Sequence, residues 1–529
     1  MNLASLDIFV FAIYVIAVVA MGCWFVRKSD NTSEFMAAGG ALPGWAVGLS
    51  IFGTFLSSNT FLGVPGKTYG TNFNAFVFSL TLPIAAWFAT RYFIPFYRNS
   101  GEISAYHHLE MKFGLWARTY AVVCYLLTQI ARMGAILFGV ALSLYALTGW
   151  DVTTIIIATG ILVTFYTLLG GIEAVIWTDV VQSIVLMGGA ILVFALLIFG
   201  MPEGPSQAFA IAASANKFSL GSWALNFTEP TVWVLLLYGT FINLNNFGID
   251  QSFVQRYHTA KDERSAKRAL WLGALLYVPI SLLFFMIGAV LFSYYDAHPE
   301  MLQEVRLQVA AESQAEPLSP AELETKAASL TDAEIGDKVL PHFIANQLPV
   351  GLAGLLIAAI FAAAMSSVDT SLNSSATIIL KDIYQRYWDR TPSERISMLV
   401  LRIATVATGI IGTGVAVSLI GVKSILDAWW ILQGIFAGGL LGLFLLGIIS
   451  RYPRGHRAIT AVVIGLLVIA WMTFSPNMEQ LPEVLRNPLH ANMIIVVGTL
   501  TIFLVGLVVA PPLKPAADIP IEHEEKKNS

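Results

Sequence analysis

The chain has 529 residues, 56% of them apolar and 12% charged, with a mean hydropathy of +0.71. Soluble domains use roughly 25% charged residues, so this composition excludes a water-soluble fold and puts the chain in a bilayer. The net charge of −4 averages a basic face with an acidic one and gives no support to nucleic-acid binding.

Apolar runs long enough to cross a hydrocarbon core recur at 6–26, 42–68, 72–97, 118–148, 152–170, 174–200, 229–252, 267–296, 349–383, 396–420, 424–450, 457–475 and 491–511. They predict an all-α polytopic membrane protein of about 13 transmembrane helices. The first run has neither a basic leader nor a small-residue cleavage site, and is expected to stay as a helix. The second carries Phe52-Gly-Thr-Phe-Leu-Ser-Ser-Asn-Thr-Phe61, which the seventh echoes in Tyr238-Gly-Thr-Phe-Ile-Asn-Leu-Asn-Asn-Phe247. An offset of five runs is odd, so the two copies face opposite ways, as in an inverted repeat of five plus five helices. Their polar interruptions suit discontinuous helices whose unwound backbone lines a binding site.

In the fourth run, Arg132 lies near the bilayer centre, where an arginine costs roughly 2.5–3.5 kcal/mol. It needs an anion or carbonyls: a substrate carboxylate, which a planar guanidinium binds through two aligned hydrogen bonds, unwound backbone, or Asp179 or Asp369. Asp179, in the sixth run, stands three residues before Gln182, a spacing that also fits a capping box. The stretch 297–340 is acidic and helix-prone around Pro317 and Pro320. The ninth run turns from apolar to polar, with Ser366, Ser367, Asp369, Thr370, Ser371, Asn373, Ser374 and Ser375 in about three helical turns. Such burial is costly unless something binds these groups or the hydroxyls bond back to carbonyls four residues earlier. Many hydroxyls with few carboxylates suit a monovalent cation.

Arg27 and Lys28, the stretches 98–118, 256–268, 381–395 and 451–457, and the tail hold 20 of the 30 Lys and Arg residues on one side. That side is expected to be the cytoplasm, with the N-terminus and the acidic loop outside and the C-terminus inside. Cys23 and Cys124 fall within runs and are read as small apolar residues, and the eight histidines show no metal-ligand spacing. No soluble segment is large enough for an enzyme, so no catalytic residues are expected.

Four segments resemble the sodium/solute symporter family, which includes the sodium/glucose and sialic acid transporters. They are Leu42-Pro-Gly-Trp-Ala-Val-Gly-Leu-Ser50, Tyr166-Thr-Leu-Leu-Gly-Gly-Ile-Glu-Ala-Val-Ile-Trp-Thr-Asp-Val-Val-Gln182, Asp250-Gln-Ser-Phe-Val-Gln-Arg-Tyr257, and the hydroxyl ladder with Lys381-Asp-Ile-Tyr384. The resemblance implies a LeuT-type five-plus-five inverted repeat in a single transporter domain. One extra N-terminal helix (6–26) would precede a first repeat at 42–200 and a second at 229–450 that carries the external loop 297–340. Two extra C-terminal helices would lie in 457–511, before a cytoplasmic tail at 512–529.

In that family the main sodium site combines an Ala-x-x-Ser-Ser pattern with carbonyls of the first broken helix, which Ala363, Ser366, Ser367, Gly53 and Leu56 match. A second cation site of some relatives matches Asp179, Asp369 and Thr370, with the acid Asp369 where a hydroxyl is expected. Ser57, Thr60 and Arg132 match solute-binding positions of the sialic acid transporters, while Phe55 and Ser79 stand where a hydroxyl and an amide are expected. Asn243 matches a sugar-binding asparagine of galactose-type transporters, whose acid and lysine positions hold Ser79 and Tyr277. Phe241, Asn246 and Gln433 complete the expected pocket.

The resemblance thus implies import by alternating access of an anionic sugar such as N-acetylneuraminate, co-transported with one or two sodium ions. A neutral sugar or a monocarboxylate is the alternative solute, and a sodium-dependent sensor or a channel is a remoter reading. Membrane lipid is the expected surrounding, with no obligate protein partner, in a bacterial cytoplasmic membrane.

Overall fold

The computed structural model describes residues 4–25, 31–57, 59–312, 319–420, 425–449 and 455–508. Arg27, Lys28, Pro317, the stretch 450–454 and the tail 512–529 lie outside the described residues. Among the described residues the regular structure is helical, with one isolated parallel bridge between Leu42 and Ala260. Among the described residues, nine helices of 18 or more residues are apolar enough to cross a membrane.

After α1 (Ser5–Trp24), the first repeat begins with a helix in two pieces. α2 (Gly44–Phe55) stops where Leu56 turns to φ −94°, ψ 116°, and α3 (Thr60–Gly70) resumes at 61° to it. The break falls among Ser and Thr side chains that compete for the backbone. Thr60 Oγ1 accepts the Ser57 N–H at 3.4 Å.

α4 (Phe73–Ser100) and α5 (Leu115–Thr148) lead to α6 (Val152–Phe199), 48 residues that cover two of the predicted runs. Gly171 divides α6 at φ 59°, ψ −160°, a conformation only glycine adopts readily. Asp179 therefore lies well inside the second half of α6 and begins no helix, so the capping box with Gln182 does not form there.

The second repeat opens with α7 (Val232–Ile249) and α8 (Gln251–Thr259), separated at Asp250, whose carboxylate caps α8 by accepting the Ser252 N–H at 2.8 Å. The two echo segments thus behave differently. The first repeat breaks inside its copy, whereas α7 runs through Tyr238–Phe247 and breaks just after it, where the capping aspartate stands.

α9 (Glu263–Ala297), α10 (Asp332–Gln347), α11 (Leu352–Ile378), α12 (Glu394–Ser418), α13 (Ile425–Ile449), α14 (Gly455–Phe474) and α15 (Met493–Val508) complete the chain. The acidic loop folds as Pro299–Glu312, Pro320–Ser329 and α10. α10 lies against α3 so closely that a Cβ on Gly336 would sit 2.4 Å from the Gly66 carbonyl oxygen.

α11 is the axis of the molecule, with 89% of its apolar span buried against α2, α5, α6 and α12. α1 is pinned to its start, where the Asp7 carboxylate accepts the Gly351 and Gly354 N–H groups at 2.7 and 2.8 Å. α14 and α15 pack on α13.

Candidate functional site

Because α2 ends at Phe55, carbonyls near its end are free of a continuing helix. Ser366 Oγ lies 3.4 Å from Gly53 O and 3.2 Å from Ala363 O, and Ser367 Oγ lies 3.4 Å from Leu56 O. All five residues predicted for the main sodium site therefore meet at the break. Oxygens about 3.4 Å apart are adjacent ligands around a hard cation bound at about 2.4 Å. The rest of the ladder behaves otherwise: Thr370, Ser371 and Ser374 donate back to the carbonyls of Ser366, Ser367 and Thr370 at 2.8, 2.9 and 2.7 Å. Ser367 reaches across to the broken helix instead, and Ser366 does both.

Asp179, Asp369 and Thr370 also lie together, but two of them already hold a cation. Arg256, fully buried on α8, donates from Nη2 to Asp179 Oδ2 at 2.9 Å and to Thr370 Oγ1 at 2.7 Å. Its Nε reaches Ser50 Oγ at 2.7 Å, and Ser50 donates to Asp179 Oδ2 at 2.5 Å. Asp369 accepts the Tyr166 hydroxyl at 2.7 Å and the Thr370 N–H at 2.6 Å. Asp179 Oδ1 is buried without a hydrogen-bond partner among the described residues. In the sequence Arg256 opens the cationic stretch 256–268 and closes a motif; its burial as an ion-pair partner is not legible there, because its partners lie 77 and 114 residues away.

A cavity of about 100 Å³ opens beside the break. Seven of the nine predicted solute residues line it: Phe55, Ser57 and Thr60 at the break, Ser79 from α4, Arg132 from α5, Asn246 from α7 and Gln433 from α13. Asn243 is buried elsewhere, donating to Thr81 Oγ1 at 3.0 Å, and Phe241 packs in an apolar cluster around Val234 and Ile495. Neither lines the cavity, although Ile242 and Asn246 of the same helix do.

Residues not anticipated complete the wall. Ser281 bonds Ser79 at 2.7 Å, Phe253 packs on Phe55 with ring centroids 4.8 Å apart, and Lys67 lines the cavity as well. Phe253 belongs to the Asp250–Tyr257 motif and was findable; Ser281 and Lys67 carried no pattern.

Arg132 decides the chemistry of the cavity. Its Nη2 donates to the Thr54 carbonyl, and no carboxylate forms an ion pair with it among the described residues. Asp250, the nearest candidate, is engaged by Gln129 at 3.3 Å and by its own cap. The arginine thus ties down backbone at the break and lines the cavity.

A broken-helix core with oxygens converging at the break and a polar cavity beside it fits an ion-coupled membrane transporter. The profile of the sodium:solute symporter family matches residues 35–465, and the chain belongs to that family. Sodium is its co-transported ion. It is similar to the sodium/sialic acid symporter SiaT of Proteus mirabilis, at 32% identity over 97% of this chain and 96% of that protein. Sodium/sialic acid symporter NanT of Aliivibrio fischeri is 32% identical, over 95% of this chain and 92% of its own. Sodium-coupled monocarboxylate transporter 2 of Danio rerio is 28% identical over 92% and 74% respectively.

Among solved structures, a substrate-bound outward-open Na+-coupled sialic acid symporter superposes with a TM-score of 0.84 at 30% identity, covering 98% of this chain and all of that one. Mhp1, a nucleobase-cation-symport-1 family transporter, shares the fold, with a TM-score of 0.52 at 13% identity over 89% and 92% of the two chains.

Proposed function

We propose that this symporter imports a small organic anion, an acidic sugar of the N-acetylneuraminate kind, together with one sodium ion. The observation that carries the reading is Arg132, a guanidinium in the wall of the cavity with a backbone carbonyl and, among the described residues, no carboxylate as its partner. A monoanionic solute would supply the missing charge through two aligned hydrogen bonds. Ser57, Thr60, Ser79, Asn246 and Gln433 would meet its hydroxyls. The sialic acid symporters similar to this chain support the same choice.

Coupling follows from the shared helix. Sodium held by Gly53, Leu56, Ala363, Ser366 and Ser367 would fix the segment that carries Phe55, Ser57 and Thr60, so ion and solute favour each other's binding reciprocally. The guanidinium of Arg256 on Asp179 and Thr370 favours a single sodium over two.

A short monocarboxylate is the second reading, favoured by the small volume of the cavity, about 100 Å³, and by the monocarboxylate transporters among its relatives. The chain is read as a transporter without catalytic function, in a bacterial cytoplasmic membrane with lipid around it, its N-terminus outside and its C-terminus inside. Competition binding in sodium tests the solute: N-acetylneuraminate should displace a bound sialic acid probe where galactose and pyruvate do not. Displacement by pyruvate at equal concentration would move the assignment to short acids.

A further inference from the structure

We infer that Gln129 is a positioning residue for the solute site: it holds the Asp250 carboxylate off Arg132 and so keeps that guanidinium open to the carboxylate of a solute. This rests on the reading above that the solute is an anion. Opposite charges in a low-dielectric interior attract strongly, and elsewhere in the bundle they close on each other. Arg256 meets Asp179 at 2.9 Å, and Arg118 meets Asp382 at 2.5 Å. Arg132 and Asp250 form no such pair, although Asp250 is the charged group that acts most strongly on Arg132, and Arg132 the one that acts most strongly on Asp250.

Neutral groups take up both charges instead. Asp250 Oδ1 accepts the N–H and the hydroxyl of Ser252, which makes it the cap of α8. Asp250 Oδ2 accepts Gln129 Nε2 at 3.3 Å, its one partner among the described residues. Gln129 is fully buried on α5 three residues before Arg132, so the two side chains leave one face of the helix a turn apart. The same turn spans both helix breaks: Gln129 holds the α7–α8 break at Asp250, and Arg132 holds the α2–α3 break at the Thr54 carbonyl.

Without the Gln129 amide, Asp250 Oδ2 would lose that partner and turn to the guanidinium a turn away. Such a pair would cancel the charge that reads the solute and leave the cavity suited to a neutral polyol. Gln129 therefore separates an anion site from a neutral one without itself lining the cavity.

The test is titration of the detergent-purified protein with N-acetylneuraminate in saturating sodium, for the wild type, Gln129→Leu, Asp250→Asn and the double variant. Gln129→Leu should weaken binding by about tenfold, and adding Asp250→Asn, which keeps the cap but removes the charge, should restore it to within about twofold of the wild type. Asp250→Asn alone should bind about threefold more tightly, since the competing charge is gone. A Gln129→Leu variant with wild-type affinity, a double variant no tighter than Gln129→Leu, or an Asp250→Asn variant no tighter than the wild type would overturn the inference; the last decides it even where Gln129→Leu does not fold. No binding to the wild-type protein would instead remove the acidic-sugar reading, and the role of Gln129 with it.

Discussion

Ser367 and Ser371 are one turn apart on the same buried helix, yet their hydroxyls do opposite things. Ser371 donates to its own helix at Ser367 O, and Ser367 turns to Leu56 on the broken helix. Ser367→Ala should therefore raise the sodium concentration for half-maximal uptake by about tenfold, the equivalent of roughly 1.4 kcal/mol, while Ser371→Ala changes it by less than about twofold. Sodium-titrated uptake checks both.

Arg256 gives a second prediction at this scale. Removing one partner of a buried pair strands the other charge, so Arg256→Gln should destabilise the protein by about 3–5 kcal/mol, and adding Asp179→Asn should recover part of the loss. Thermal unfolding in detergent measures it. The Ala-x-x-Ser-Ser pattern was legible in sequence because its members are neighbours in the chain. The Arg256 cluster was not, because α2, α6, α8 and α11 must first come together around one guanidinium.

Broken helices are legible where polar residues interrupt an apolar run, as at Ser57 and Thr60, and less so where the break depends on a cap. The echo pointed at Tyr238–Phe247, but the turn waits for Asp250 and its bond to Ser252. A boundary set by one side-chain hydrogen bond leaves no mark in periodicity. Gly171 likewise divides α6 through its backbone angles, although the hydropathy alone had already separated the two runs.

α10 adds a pH dependence. His342 is buried, with Nδ1 2.8 Å from the Tyr295 hydroxyl and Nε2 3.6 Å from Glu304. Burial lowers its imidazole below the usual value, against the opposing pull of Glu304. The folded state then binds fewer protons at this site than the unfolded chain, so stability is full above about pH 6.5 and falls as the pH drops below it. The thermal midpoint should fall less between pH 7.5 and pH 5.5 in His342→Gln than in the wild-type protein.

At the scale of the molecule, the fold class followed from hydropathy and the five-run offset, because a bilayer leaves helices few alternatives. The register of the solute cavity was only partly legible: Lys67 and Ser281 fall outside the motifs, and Asn243 lies outside the cavity. One sodium moving with one monoanion transfers no net charge, so uptake should be indifferent to an imposed membrane potential. Two sodium ions would add about 2.3 kcal/mol of drive per 100 mV and make it voltage-dependent.

Coupling between sodium and a carboxylated solute is tested most directly by accumulation of N-acetylneuraminate in proteoliposomes at zero voltage, with a tenfold inward sodium gradient. Uptake should rise toward a ceiling of about tenfold over the outside concentration, collapse to equilibration when sodium is equal on both sides, and disappear in Arg132→Ala. Uptake that proceeds at the same rate and extent without a sodium gradient, or that survives intact in Arg132→Ala, would contradict it.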